Sequence, residues 1–235
     1  MKAPKIITIC MAAALLSGCS PDVLPSEPPK GYNSSITLQA EVGTLITDCT
    51  QVAEMRLKYE YPELELNISY PDAETSVIEF DRPENWNEST LENLCRNGEL
   101  TFRKGTDTEV NSEGQTVPTG EIVLQSTDID KAQTVQMPNE YELTYVVSIK
   151  LFDSGRTKFA AATEELAGTS TPIGIWYDDE LISAPTVAAP ITDGEVVISG
   201  NFTLESANEL SAAIDSGALP CGLTITDFKI GDDSK

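Results

Sequence analysis

The chain has 235 residues, with 38 Asp and Glu against 15 Lys and Arg, a net charge of −23 and no histidine. That charge argues against nucleic acid as a partner, because phosphates would be repelled, and it repels anionic lipid headgroups as well. The chain is 40% hydrophobic, which argues against wholesale disorder, and at this length folding buries roughly 70% of the unfolded chain's surface, enough for a core without metal.

The N-terminus reads as an export signal: Lys2 and Lys5 precede an apolar run over 6–16 that is too short to span a bilayer. Leu16-Ser17-Gly18-Cys19 then matches a bacterial lipobox, in which Cys19 takes a lipid and residues 1–18 are removed. Cleavage would take away two lysines and no acids, moving the net charge from −23 to −25. An N-terminal lipoprotein carries more than one acyl chain, which makes anchoring stable. No later stretch approaches 18 apolar residues, so the expectation is a protein of the bacterial cell envelope, held on the extracytoplasmic side of a membrane without crossing it. Residues 19–35 hold four prolines and read as a tether, reaching roughly 50 Å if polyproline-like.

Beyond the tether the pattern becomes regular. Residues 36–42 read as a strand, and Leu45, Cys49, Val52, Met55 and Tyr59 recur at helical spacing. Alternation over 63–68 and the run 76–81 give two more strands. A second helix is expected to start with a capping box of Ser89 and Glu92, to bury Leu91, Leu94 and Cys95, and to stop at Gly98. With 99–104 as the next strand, the order is a ferredoxin-like split βαβ pattern, both helices on one sheet face. Its two helices run roughly antiparallel, which brings Cys49 near Cys95, and a Cys49–Cys95 disulfide is expected. The alternatives are three buried thiols, or Cys221 displacing either partner, since Cys49, Cys95 and Cys221 leave an odd number once Cys10 departs with the signal.

Residues 106–120 are polar, with glycine and proline, and are expected to form a flexible loop. Strands follow at 120–125 and 141–152, the second with Leu143, Tyr145, Val147, Ile149 and Leu151 on one face. Asp153 or Ser154 is placed to cap a helix through Phe159, Ala162 and Leu166 that Gly168 ends. A tight hairpin is expected about Asp178 and Asp179, then a strand at 194–200. Thr203 would cap a helix whose inner face holds Ala207, Leu210, Ser211 and Ile214, stopped by Gly217. The chain is thus an α+β protein by pattern alone.

Catalysis has little to work with. Without histidine the commonest general base is missing, Ser183 and Ser199 have no base nearby, and no Gly-x-Ser-x-Gly elbow occurs. The acidic groups Asp128/Asp130, Asp178/Asp179 and Asp232/Asp233 lack EF-hand spacing and read as solvated turns. The chain is expected to be no enzyme and to need no metal or cofactor. Trp86 and Trp176 are expected to pack in or near the core.

The run IWYDDELISAP followed by PITDGEVVISGNFTLESANELSAAIDSGALP resembles the large first extracytoplasmic domain of the SecD and SecDF protein-export family. The resemblance rests on Ile182-Ser183-Ala184-Pro185, Gly200-Asn201-Phe202-Thr203, Ala207-Asn208 and 216–220, and extends to 99–104, 124–132 and 149–168. It implies a base subdomain from 36–103 with 221–230, and a head subdomain at 104–220 inserted into it. It also implies exported polypeptides or Sec translocon subunits as partners, with Asp178, Asp179, Ile182, Ser183, Ala184, Pro185, Gly200, Asn201 and Phe202 as the candidate interaction surface or hinge. The same residues read structurally are only a hairpin and a turn. The family pumps through charged transmembrane helices that this sequence lacks, so no proton-driven pumping is expected. Asp179 stands in the family's turn-glycine position, a substitution that aspartate's tolerance of left-handed backbone allows, and Asp215 stands where the family often has arginine. A repurposed envelope lipoprotein that binds another surface protein or a small solute is the alternative function.

Overall fold

The computed structural model describes residues 31–87, 89–138 and 143–231. The lipobox, its Cys19 and most of the tether lie outside the described residues, as do Asp232 and Asp233.

The first lobe is built on β1 (Ser34–Ala40), α1 (Ile46–Glu60), β2 (Asn67–Ser69), β3 (Thr75–Phe80), α2 (Ser89–Cys95) and, far along the chain, β13 (Leu223–Lys229). Its sheet order is β13-β1-β3-β2 with all neighbours antiparallel. β1-α1-β2 and β3-α2-β13 are therefore two split βαβ units, the arrangement of a ferredoxin-like fold. Ile36, Leu38, Ile78, Phe80, Ala53, Leu57 and Leu94 form its core. Trp86, half-buried, lies stacked among Tyr61, Phe80 and Phe228 with ring centroids 5.3, 5.2 and 6.2 Å away.

The second split unit is interrupted. Between α2 and β13 the chain makes a second lobe: β4 (Leu100–Lys104), β5 (Thr108–Val110), β6 (Thr116–Pro118), β7 (Ile122–Gln125), a 3-10 turn (Ser126–Asp128), β8 (Ile129–Pro138), β9 (Leu143–Leu151), α3 (Asp153–Leu166), β10 (Ile173–Tyr177), β11 (Glu180–Ser183), β12 (Glu195–Phe202) and α4 (Leu204–Asp215). Two sheets, β11-β10-β4-β7 and β12-β9-β8, pack with α3 and α4 around Phe102, Leu124, Val147, Ile149, Phe159, Ile175 and Ile198. The whole is α+β, as expected.

Several elements depart from the sequence pattern. β4 does not complete the first lobe's sheet. It pairs with β10 and β7, because Leu100 and Phe102 are buried in the second lobe's core, so the insertion begins before residue 104. On α1 the buried face is Ile46, Cys49, Thr50, Ala53, Arg56 and Leu57, whereas Leu45, Met55 and Tyr59 are exposed. The face turns because its polar members are satisfied inside: Thr50 Oγ1 donates to Ile46 O at 2.8 Å and lies 2.8 Å from Ser76 Oγ. Ser89 is already the first helical residue of α2 rather than its cap, and its N–H donates to Asn87 Oδ1 at 3.1 Å. Residues 106–120 contain the β5–β6 hairpin, whose turn is held by Asn111 Oδ1 accepting from Glu113 N and Gln115 N. β8 pairs along nearly its whole length with β9, although its residues alternate too weakly to announce a strand. The expected α4 is found with its cap, Ser206 N donating to Thr203 Oγ1 at 3.1 Å, and with Ala207, Ser211 and Ile214 buried.

Candidate functional site

The chain passes between the lobes twice, outward at 96–99 and back at 216–222. One side chain from α1 holds both passages. Arg56 is nearly fully buried, and its Nη1 donates to the carbonyls of Asn93, Leu94 and Arg96 at 2.9, 3.2 and 2.6 Å. Its Nη2 donates to Asn97 O at 3.5 Å and Gly217 O at 3.1 Å, and its Nε to Ser216 Oγ at 3.4 Å. The acceptors include the carbonyls that the end of α2 leaves without helical partners, where a cation is also favoured by the helix dipole. Burial pushes the guanidinium below its ordinary pKa, partly countered by Tyr177 and Asp178. The passages are also tied to each other, Leu219 N donating to Asn97 O at 2.7 Å. Gly98 is required between them: its φ is +75°, and a Cβ there would run into Arg56 Nη2 and lie 3.0 Å from Tyr177 Oη.

The passages flank a cleft of about 500 Å³. Asn97 and Glu99 line it from the outward passage, Ser126 and Thr127 from the 3-10 turn, and Leu219, Pro220 and Cys221 from the return. The turn's position is set by Ser126 Oγ, which accepts Leu100 N at 2.8 Å, and by Asp128. Asp128 is buried, contrary to its reading as a solvated turn. Its carboxylate accepts Lys158 Nζ at 2.7 and 3.0 Å and Gln125 N at 3.2 Å, while its carbonyl accepts Phe152 N at 3.0 Å. Gly155 lets α3 come this close, since a Cβ there would sit 2.7 Å from Asp128 O.

The expected hairpin abuts the outward passage. Asp178 N donates to Glu99 O at 2.8 Å, and Asp178 Oδ1 accepts Glu99 N at 2.9 Å. Arg96 Nε lies 3.4 Å from Asp178 Oδ2, and its guanidinium sits 5.0 Å above the Tyr177 ring. The left-handed residue of the turn is Asp178, at φ 53°, and not Asp179, because Asp178 is held to Glu99 by one backbone bond and one side-chain bond. Farther out, Ser183 Oγ donates to Ser199 O at 3.1 Å, which sets Ile182, Ser183, Ala184 and Pro185 beside the end of β12. There Ile198 pairs with Val147 and Phe202 with Tyr145, so 199–201 bulge outward. Asn201, Gly200, Ala184 and Pro185 are exposed, and Phe202 and Ile182 pack partly on the core. Asp215 accepts Ala132 N at 3.0 Å and so anchors β8 on α4.

The structure brings Cys221, rather than Cys95, to Cys49: the Sγ atoms are 2.7 Å apart. Cys49 lies on the inner face of α1, opposite the point where the return passage enters the first lobe, while Cys95 ends α2 beside Ile225, its thiol pushed up by burial. Among the described residues no group of three or more His, Cys, Asp or Glu could hold a metal ion, and no helix is long and apolar enough to cross a membrane. Arg56 is the site residue that sequence reasoning missed, while Cys221, expected only as an alternative partner, is the one found at Cys49. A visible signal existed for Arg56, which falls seven residues after Cys49 and three after Ala53, on the helix's inner stripe.

A ferredoxin-like lobe carrying a large insertion between its last helix and last strand defines the class of this α+β module. Residues 102–221 match the family model of the SecDF P1 head subdomain, and the chain belongs to that family. It is 36% identical to protein translocase subunit SecD of Synechocystis sp. over 95 residues, covering 38% of this chain and 20% of that one. To SecD of Streptomyces coelicolor it is 34% identical over 115 residues, covering 47% of this chain and 20% of that one. The chain spans about a fifth of the length of these curated relatives. A solved SecDF in super-membrane-facing form superposes over 83% of this chain and 30% of its own, with a TM-score of 0.69 at 22% identity. A chain from structural work on SecDF as a membrane component that enhances protein export superposes over 82% of this chain and 98% of its own, with a TM-score of 0.65 at 22% identity. The two superpositions speak for the fold.

Proposed function

We propose that the chain is a lipid-anchored, extracytoplasmic SecD-like module that contacts exported polypeptides or Sec translocon subunits, without catalysis and without proton-driven pumping of its own. The family match over 102–221 carries this reading. In it the ferredoxin-like lobe serves as the base and the inserted lobe as the head. The contact surface is the exposed edge formed by Asp179, Ala184, Pro185, Gly200 and Asn201, and Asp178 ties that edge to the passage between lobes. The lipobox at 16–19 and the acidic surface support an anchor made of lipid rather than of protein contacts with headgroups.

Two measurements test it. In cells fed an alkyne fatty acid, the chain should be labelled and Cys19→Ala should not; labelling of both would remove the anchor assignment. Photo-crosslinking probes at Glu180, Asn201 and Thr127 should give adducts with translocon subunits or with many unrelated secreted chains. One dominant adduct outside export would instead mean that the scaffold was kept and its partner changed.

A further inference from the structure

The return passage and α1 meet at two sulfur atoms. Cys49 Sγ lies 2.7 Å from Cys221 Sγ, well inside van der Waals contact, across a sequence separation of 172 residues. The two thiols differ in access: Cys49 is fully buried, whereas Cys221 is half-buried and lines the cleft. Cys95 lines the same cleft and is the competing partner. We propose that Cys49 and Cys221 form a disulfide that fastens α1 to the return passage, made by exchange with a small-molecule or protein disulfide that reaches Cys221 through the cleft.

The Cys221 thiolate attacks one sulfur of the incoming disulfide, whose S–S bond breaks. One half departs as a thiolate and takes up a proton, and the other stays on Cys221 as a mixed disulfide. Cys49 then loses its proton and attacks Cys221 Sγ, and the second half leaves as a thiol. Two protein thiols are oxidised by two electrons to one disulfide, and the incoming disulfide is reduced to two thiols that carry the two protons. The order follows from access. The Cys49 thiol is pushed up to about 12 by burial and then by Cys221, which favours its protonated form and leaves the first attack to the more accessible Cys221, since thiolate is the attacking species. The bond would close a loop containing the entire inserted lobe and shorten the free part of the return passage to 216–220, which limits how far that lobe can turn on the first.

The exchange can be tested with the oxidant supplied, so its outcome is independent of where the protein resides. Purified full chain is reduced, incubated with glutathione disulfide, blocked with N-ethylmaleimide and digested for mass spectrometry. The expected product is one linked peptide joining Cys49 to Cys221, with Cys95 carrying maleimide. Oxidation should raise Tm by about 10 °C, a rise kept in Cys95→Ser and absent in Cys221→Ser. All three cysteines blocked, a linked peptide containing Cys95, or glutathione left on Cys221 with Cys49 blocked would each overturn the proposal.

Discussion

Replacing Arg56 with alanine is expected to cost about 3–4 kcal/mol and to lower Tm by about 10 °C. The cost comes from what remains when the guanidinium goes. The carbonyls of Asn93, Leu94, Arg96, Asn97 and Gly217 lose a donor together, and Ser216 Oγ keeps only its bond to Ala213 O at 2.9 Å. A buried acceptor left without a partner costs about 1–3 kcal/mol. The sum is held down here because water can enter from the adjoining cleft and because the charge itself no longer has to be desolvated. Arg56→Lys should recover about half of the loss, since an ammonium supplies three donors from one point and cannot reach both passages as a planar fork does. A local readout separates this from general destabilisation. The Leu219 amide, bonded to Asn97 O, should exchange with solvent at least tenfold faster in Arg56→Ala than amides of β9 do relative to wild type. Equal acceleration in both places would mean that Arg56 is only one core side chain among others and does not hold the passages.

The fold was readable wherever apolar residues and backbone punctuation agreed. α4 shows its start in Thr203 and its end in Gly217, and β9 shows its inner face in Val147, Ile149 and Leu151. Local pattern fails where tertiary partners overrule it. Leu45, Met55 and Tyr59 have the spacing of a buried stripe, yet Thr50 and Arg56 occupy the interior because Ser76 and the α2 carbonyls satisfy them. β8 is a strand because β9 and β12 extend a sheet toward it, not because Lys131, Gln133 and Gln136 favour one. The residues proposed as a contact surface, at 178–185 and 200–202, could be named through family resemblance alone, because exposed turns carry no burial pattern. Of the junction, only Arg56's place on the inner stripe of α1 and Cys221 as an alternative disulfide partner were legible. Its ligands are main-chain carbonyls, which no sequence displays, and Cys221 meets Cys49 only because a whole lobe is inserted between α2 and β13.

Asp128→Ala is the second large effect expected, about 2–3 kcal/mol. The carboxylate is buried while its partner Lys158 has half of its side chain in solvent, so the lysine can rehydrate once the acid is removed. The cost therefore comes mainly from the Gln125 amide, which loses its acceptor, and from slackening of the contact between the 3-10 turn and α3. It should stay below the 3–5 kcal/mol typical when a buried pair loses one member and strands the other charge in the interior. Asp128→Asn, which keeps the size and one acceptor, should lose roughly half as much. The turn that Asp128 holds also supplies Gln125, Ser126 and Thr127 to the cleft wall, so the substitution should reach function before it reaches unfolding. At a temperature where Asp128→Ala remains folded, a photo-crosslinking probe at Thr127 should lose most of its adducts while a probe at Asn201 keeps its own, because β12 is anchored independently on β9. Loss of both sets in parallel would show that the cleft and the outer edge act as one surface. Retention of both would show that the cleft wall takes no part in contact with a partner.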